Sequence, residues 1–159
     1  MATEPSAVVR ADVAVVGAGA AGIYAALSAA RAGAEVVLVS RSPLAASASY
    51  WAQGGVAAAL DASDSIAAHV ADTLRAGRGL SRASAVEALC AEAPERVRDL
   101  IELGVSFDAD RTGALALGLE GGHSARRVAH AGGSATGRRI TRQLSALAAT
   151  HPRVRVLEG

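Results

Sequence analysis

Apolar positions along this chain follow two patterns, short continuous runs and longer stretches with helical spacing. Val13-Ala-Val-Val16 is a run of the first kind. It opens directly into Gly17-x-Gly19-x-x-Gly22, and Ile23–Arg31 then reads as a helix. The pattern predicts a strand over 11–16 and a helix over 20–32, stopped by Gly33. Glu35-Val-Val-Leu-Val-Ser40 is a second, near-continuous apolar run, as in a parallel strand buried on both faces. Strand, helix and strand make one βαβ unit with a right-handed crossover. Arg153–Glu158 alternates and reads as a third strand.

The middle of the chain is helical with irregular joints. Ser42–Val56 has little periodicity, and a loop of that length in a compact domain is usually functional or disordered. Asp64 or Ser65 is placed to cap a helix running to Ala76, with Ile66, Val70 and Leu74 as its apolar stripe. A second helix is expected over Ser84–Leu103, kinked or divided at Pro94, with Leu89, Val97, Leu100, Ile101 and Leu103 as its packing face. Val105–Phe107 is extended and Asp108–Gly113 a turn. Gly132–Gly137 is a second glycine-rich turn, with Ser134 or Thr136 capping a helix over 138–149 whose Ile140, Leu144 and Leu147 face inward. The class that follows is α/β, a Rossmann-like domain with a central parallel sheet. A leader occupies 1–10, and the domain occupies 11–159 as the truncated N-terminal portion of a larger one.

Composition narrows this picture. The 159 residues carry a net charge of +1, with no basic tract that would mark a nucleic-acid partner. All 16 basic residues are Arg, which reads as genomic codon bias. Cys90 is the only cysteine, so an internal disulfide is excluded. It falls on a helical apolar face, as a buried inert thiol in a reducing cytoplasm would. The start of the chain, with Glu4, Arg10 and Asp12, lacks the apolar core of a signal peptide. Val13–Ala30 and Ser42–Leu60 are long and uncharged, but the first is mostly Ala and Gly and the second contains Pro43, several serines and Gln53, so no membrane span is expected.

Three segments carry candidate chemistry. A strand, then Gly17-Ala18-Gly19-Ala20-Ala21-Gly22, then a helix is the setting of a dinucleotide pyrophosphate site. Gly17 permits the tight turn, Gly19 admits the pyrophosphate to the backbone, and Gly22 lets helix and strand approach. The helix N-terminus offers N–H groups and partial positive charge. The acid that ordinarily ends the second strand is replaced by Ser40 and Arg41. Two readings stay open there: Ser40 on a ribose hydroxyl of FAD, or Arg41 on the 2′-phosphate of NADP. In the 42–56 loop, the small residues and the Gly54-Gly55 pair suit a flat or charged group against the backbone. The third segment, Glu120-Gly-Gly-His-Ser-Ala-Arg-Arg-Val-Ala-His130, concentrates an acid, two histidines and two arginines. Arg126 and Arg127 there could pair with a dicarboxylate. Metal binding is disfavoured, since His123 and His130 stand seven apart without a second acid or thiol nearby.

Taken in order, four segments resemble the succinate dehydrogenase/fumarate reductase flavoprotein superfamily, and within it the amino-terminal part of the L-aspartate oxidase family. They are Val15–Gly22; Ser49-Tyr-Trp-Ala-Gln-Gly-Gly55; Asp64-Ser-Ile with His69–Leu74 and Ala76-Gly77; and Glu120–Ser124 with Arg126, Arg127, His130 and Ala135-Thr-Gly137. The resemblance implies FAD on Gly17–Gly22, with Ser40 and Arg41 beside the adenosine, which argues against NADP. It implies that Ala48, Ser49, Tyr50, Trp51, Ala52, Gln53, Gly54 and Gly55 run past the flavin ring. Glu120 would orient the amino group of L-aspartate, with His123 close by. Covalent-flavin relatives have a histidine before the Ala-Gln-Gly-Gly loop. Ser47-Ala48-Ser49 stands there instead, so the FAD is expected to be non-covalent. The implied reaction is oxidation of L-aspartate to iminosuccinate in the cytoplasm, with oxygen or fumarate as electron acceptor. The imine would pass to quinolinate synthase in NAD biosynthesis. The family's catalytic arginine and capping domain have no counterpart in these 159 residues, so the chain is expected to be inactive alone.

Overall fold

A computed structural model describes residues 8–159; residues 1–7 of the expected leader lie outside the described residues. The sheet that carries the fold has three parallel strands, β1 (Val13–Val16), β2 (Val36–Ser40) and β6 (Val154–Glu158), in the order β1-β2-β6. Val13 pairs with Val36, and Val36 in turn with Val154, so β2 is central. Between β1 and β2 runs α1 (Ala20–Arg31), which ends as expected beside Gly33 at φ +98°. Before β6 runs α4 (Thr136–Thr150).

Both helices lie on one face of the sheet. Ile23, Ala26, Leu27 and Ala30 of α1 and Ile140, Leu144 and Ala148 of α4 close over Val36, Leu38 and Val154. Burying a side chain the size of Leu38 or Leu144 contributes about 2 kcal/mol, so this layer is the main source of stability. Strand side chains alternate between faces. Val13 and Val15 join the helix-covered core, while Val16, one step out of phase, is 85% exposed and Val39 is also open. The burial on both faces expected for β2 is therefore found only in part, at Val37 on the second face.

A smaller antiparallel sheet, β3 (Val56–Ala57), β4 (Leu117–Gly118) and β5 (Val128–Ala129), has β5 in its centre. Two helices lie between β3 and β4 in sequence, α2 (Ile66–Ala76) and α3 (Ala83–Glu102).

Four local expectations need correction. Of the two outcomes expected at Pro94, division is not found, since α3 runs through it. Proline removes one intrahelical hydrogen bond and crowds the carbonyl four residues back, and here the burial of its ring as an apolar side chain offsets part of that cost. Of the expected face of α3, Val97 is buried and Leu100 and Leu103 pack against the core, but Leu89 and Ile101 are exposed; Val86, Cys90 and Pro94 complete the buried line. On α2 the buried residues are His69 and Asp72, and Ile66 is exposed; a charged partner described below overrides the apolar stripe. Ser65 does cap α2, accepting from Ala68 N–H at 3.1 Å. Neither Ser134 nor Thr136 caps α4. The Thr136 hydroxyl instead accepts from the Ala131 N–H at 3.1 Å.

Candidate functional site

The parallel strands bring Val16, Ser40 and Glu158 to one end of the sheet, its carboxyl end, where open α/β sheets bind ligands. A cleft of about 450 Å3 opens there, lined by Val16, Gly17, Val39, Ser40, Arg41 and Leu157–Gly159. Gly17 turns the chain at φ +106°, a conformation glycine tolerates, and its N–H donates to the Val39 carbonyl at 2.8 Å. A Cβ on Gly22 would overlap the Gly17 carbonyl oxygen, so helix and turn meet backbone to backbone. The first turn of α1 leaves N–H groups without helical acceptors. That of Ala20 donates to Ser49 Oγ at 3.1 Å, and a Cβ on Gly19 would come 3.2 Å from the same oxygen.

Ser49 belongs to a short 3-10 turn, Ala48–Trp51, so this contact lays the 48–55 loop over the glycine turn. The loop is held at two further points. The Gly137 N–H donates to the Ala52 carbonyl at 2.9 Å, and a Cβ on Gly137 would overlap the Ser49 carbonyl oxygen. Gly55, at φ +76°, has Val128 and Ala129 so close that a Cβ would meet Val128 Cγ1 at 2.5 Å. Trp51 projects from this loop, 76% exposed and edge-on to Tyr50. Ser40 is buried and donates its hydroxyl to the Ser42 carbonyl at 2.6 Å, while Arg41 is exposed.

The small sheet then delivers the third segment to the same place. Val56 pairs with Ala129, and Leu117 pairs with Ala129 from the other side. Glu120, just beyond β4, and His130, just beyond β5, consequently meet with Nε2 and Oε1 3.2 Å apart. A Cβ on Gly55 would lie 3.1 Å from His130 Cε1. The structure therefore joins Glu120 to the glycine loop, with His130 as its neighbour.

His123 goes elsewhere. Its Nδ1 lies 3.3 Å from Arg127 Nη1, and its ring centroid is 5.8 Å from that of His69 on α2. Arg127 is completely buried and grips two acids. Its Nε and Nη2 donate to Asp64 at 2.8 and 2.7 Å, and Nη1 donates to Asp72 at 2.6 Å. The backbone N–H and hydroxyl of Ser124 also donate to Asp72, at 2.7 and 2.6 Å. These Ser124 bonds, then Arg127, hold the Asp72 carboxyl well below the usual carboxylate range; the guanidinium also lowers Asp64. Burial pushes His69 down, reinforced by the positive charge of Arg127. The expectation that Arg127 could pair with a dicarboxylate is thereby corrected, because its donors are spent inside the protein; Arg126 is exposed. Asp72 escaped the sequence reading, and its one signal there is a charge three residues after His69 on the same side of α2. The loop is tethered once more where Asp108 accepts from the N–H groups of Gly132 and Gly133 at 2.7 and 2.9 Å; these bonds, Gly133 first, lower its pKa.

Among the described residues no helix is long and apolar enough to cross a membrane. Curated relatives include L-aspartate oxidase of Streptomyces coelicolor, 50% identical over 90% of this chain, and L-aspartate oxidase of Nostoc, 47% identical over 92%. The chain spans about a quarter of the length of these relatives, 25% in each case. Similar solved structures include the Mycobacterium smegmatis Sdh1 complex, with TM-score 0.86 and 34% identity over 93% of this chain and 27% of that one. E. coli quinol fumarate reductase matches at TM-score 0.87 and 29% identity, over 92% and 25%. The FAD binding domain model matches residues 12–158, and with the glycine cradle in place at the carboxyl end of the sheet, the chain belongs to the FAD binding domain family.

Proposed function

We propose that this chain forms the pyrophosphate and ring-edge part of an FAD site in an L-aspartate oxidase, with the FAD held non-covalently. The observation that carries this reading is the meeting of Glu120 with the glycine loop through β3, β5 and β4. The cradle fits the cofactor: Cβ atoms on Gly22, Gly55 and Gly137 would strike backbone or close-packed neighbours, and Gly17 needs its positive φ. Gly17–Gly22 would hold the pyrophosphate, Ser40 and Arg41 the adenosine side, and Ala48–Gly55 the edge of the ring. No histidine stands at Ser47–Ser49 to bond the flavin.

When bound, the flavin supplies a two-electron acceptor for hydride from the substrate Cα. The chain's own contribution is binding and orientation. Glu120 is about half exposed, and a carboxylate there accepts from the ammonium of L-aspartate and fixes which way the Cα faces. The N-terminus of α1 places its partial positive charge at the pyrophosphate. The product would be iminosuccinate, with oxygen or fumarate as the final electron acceptor, and it would lead through quinolinate synthase towards NAD in the cytoplasm. Similarity to the Sdh1 complex favours a second reading, a flavoprotein part of a succinate dehydrogenase or fumarate reductase.

Titration of the purified chain with FAD and, separately, NADP tests the cofactor: FAD fluorescence should change on binding and NADP should not compete. The 159-residue chain alone is expected to make no steady peroxide from L-aspartate. A flavin-loaded protein of the relatives' length should oxidise L-aspartate and leave succinate untouched. Turnover of succinate alone would establish the second reading instead.

A further inference from the structure

The geometry points to His130 as the positioning residue for Glu120: its Nε2–H donates to Oε1 and leaves Oε2 free for a substrate amino group. The inference rests on the reading of Glu120 as the acceptor for that group. His130 is the first residue past the central strand of the small sheet, and its ring sits against Gly55 and Gly118. Cβ atoms on those two glycines would lie 3.1 Å from Cε1 and 3.4 Å from Nε2. The ring plane is therefore set by backbone on two sides.

Its two nitrogens differ. Nδ1 is buried and has no hydrogen-bond partner among the described residues. Nε2 faces Glu120 Oε1 at 3.2 Å. A neutral imidazole carries one proton. On Nδ1, that proton would be a buried donor with no acceptor, a cost of about 1–3 kcal/mol. On Nε2 it meets a carboxylate. The burial pattern thus selects the Nε2–H tautomer, and that tautomer points one oxygen of Glu120 at the ring. Arg127, three residues before His130, is anchored to Asp64 and Asp72, which fixes the chain on the approach to His130.

A dicarboxylate lacking the amino group makes no use of Oε2. His130 consequently sharpens discrimination between an amino acid and its unaminated counterpart, not the hydride step.

Two measurements test this. Imidazole 15N spectra of the 159-residue chain should show His130 in the Nε2–H form, and Glu120→Ala, at an exposed side chain, should keep that tautomer but shift the Nε2 resonance, which loses its carboxylate acceptor. An Nδ1–H form, or a spectrum indifferent to Glu120→Ala, overturns the pairing. In the flavin-loaded full-length enzyme, His130→Leu should raise KM for L-aspartate about tenfold with kcat little changed. His130→Gln, which keeps a donor, should restore it. An equal rise in the inhibition constant of succinate against L-aspartate, or a fall in kcat alone, overturns the positioning role. The spectra contain neither substrate nor flavin, so an enzyme inactive on L-aspartate would sink the functional reading while the spectra still decide the pairing.

Discussion

Arg127 and Asp64 meet as a fork, Nε to Oδ2 at 2.8 Å and Nη2 to Oδ1 at 2.7 Å, with neither side chain open to solvent. The third nitrogen reaches Asp72, so one guanidinium ties the N-terminal approach of α2, its middle, and the loop that follows Glu120. Arg127→Leu would leave two buried carboxylates without their cation. Urea denaturation should register a loss of about 3–5 kcal/mol, the usual cost of breaking a buried pair on one side. Arg127→Lys should recover only part of this, since an ammonium cannot supply the planar fork.

Acid should unfold the protein in two stages. His69 titrates below its ordinary value because it is buried, so the unfolded chain takes up the proton more readily than the folded one. Stability therefore rises with pH across the window just below about 6.5 and is lost as pH falls through it. Asp64 and Asp72 are depressed, so their contribution is complete above the unfolded carboxylate value of about 3.9 and disappears only in stronger acid. His69→Gln should flatten the first stage and leave the second. Denaturant midpoints measured from pH 7 to about pH 2 check both.

Gly22→Ala should damage fold and cofactor site together. The added methyl overlaps the Gly17 carbonyl, which is backbone and cannot step aside. A stability loss of about 1–3 kcal/mol is expected, as for overpacked sites, with FAD affinity down at least tenfold by fluorescence titration.

Ser49→Ala is the milder probe of the same region. It removes the acceptor of the Ala20 N–H, a change worth about 1 kcal/mol at a helix N-terminus. Thermal melts should fall by a few degrees, and the 48–55 loop should exchange its amides faster than α1 does.

The main sheet was legible because its signals are local. Val13–Val16 and Val36–Ser40 are apolar runs bounded by glycine or charge, and Gly17–Gly22 has one economical explanation. The pairing of Asp72 with Arg127 was not legible, although both stand in segments that carry the family resemblance, because a charged residue is presumed to face water until its partner is known, and that partner lies 55 residues away. The same blindness shifted the buried face of α2 from Ile66 to His69. The role of His130 beside Glu120 was equally hidden, since pairing across β4 and β5 depends on a two-residue ladder with almost no periodicity to read.

The strand order has a temporal meaning. β2 sits between β1, made just before it, and β6, which follows only after α2, α3 and α4. While a ribosome extends the chain, the central strand emerges early with one partner and an open, strongly apolar edge. It stays in that state until α2, α3 and α4 have followed. Pairing over so long a separation in sequence is slow. The vulnerable period for this protein is thus its own synthesis, when a second nascent chain can take the place reserved for β6.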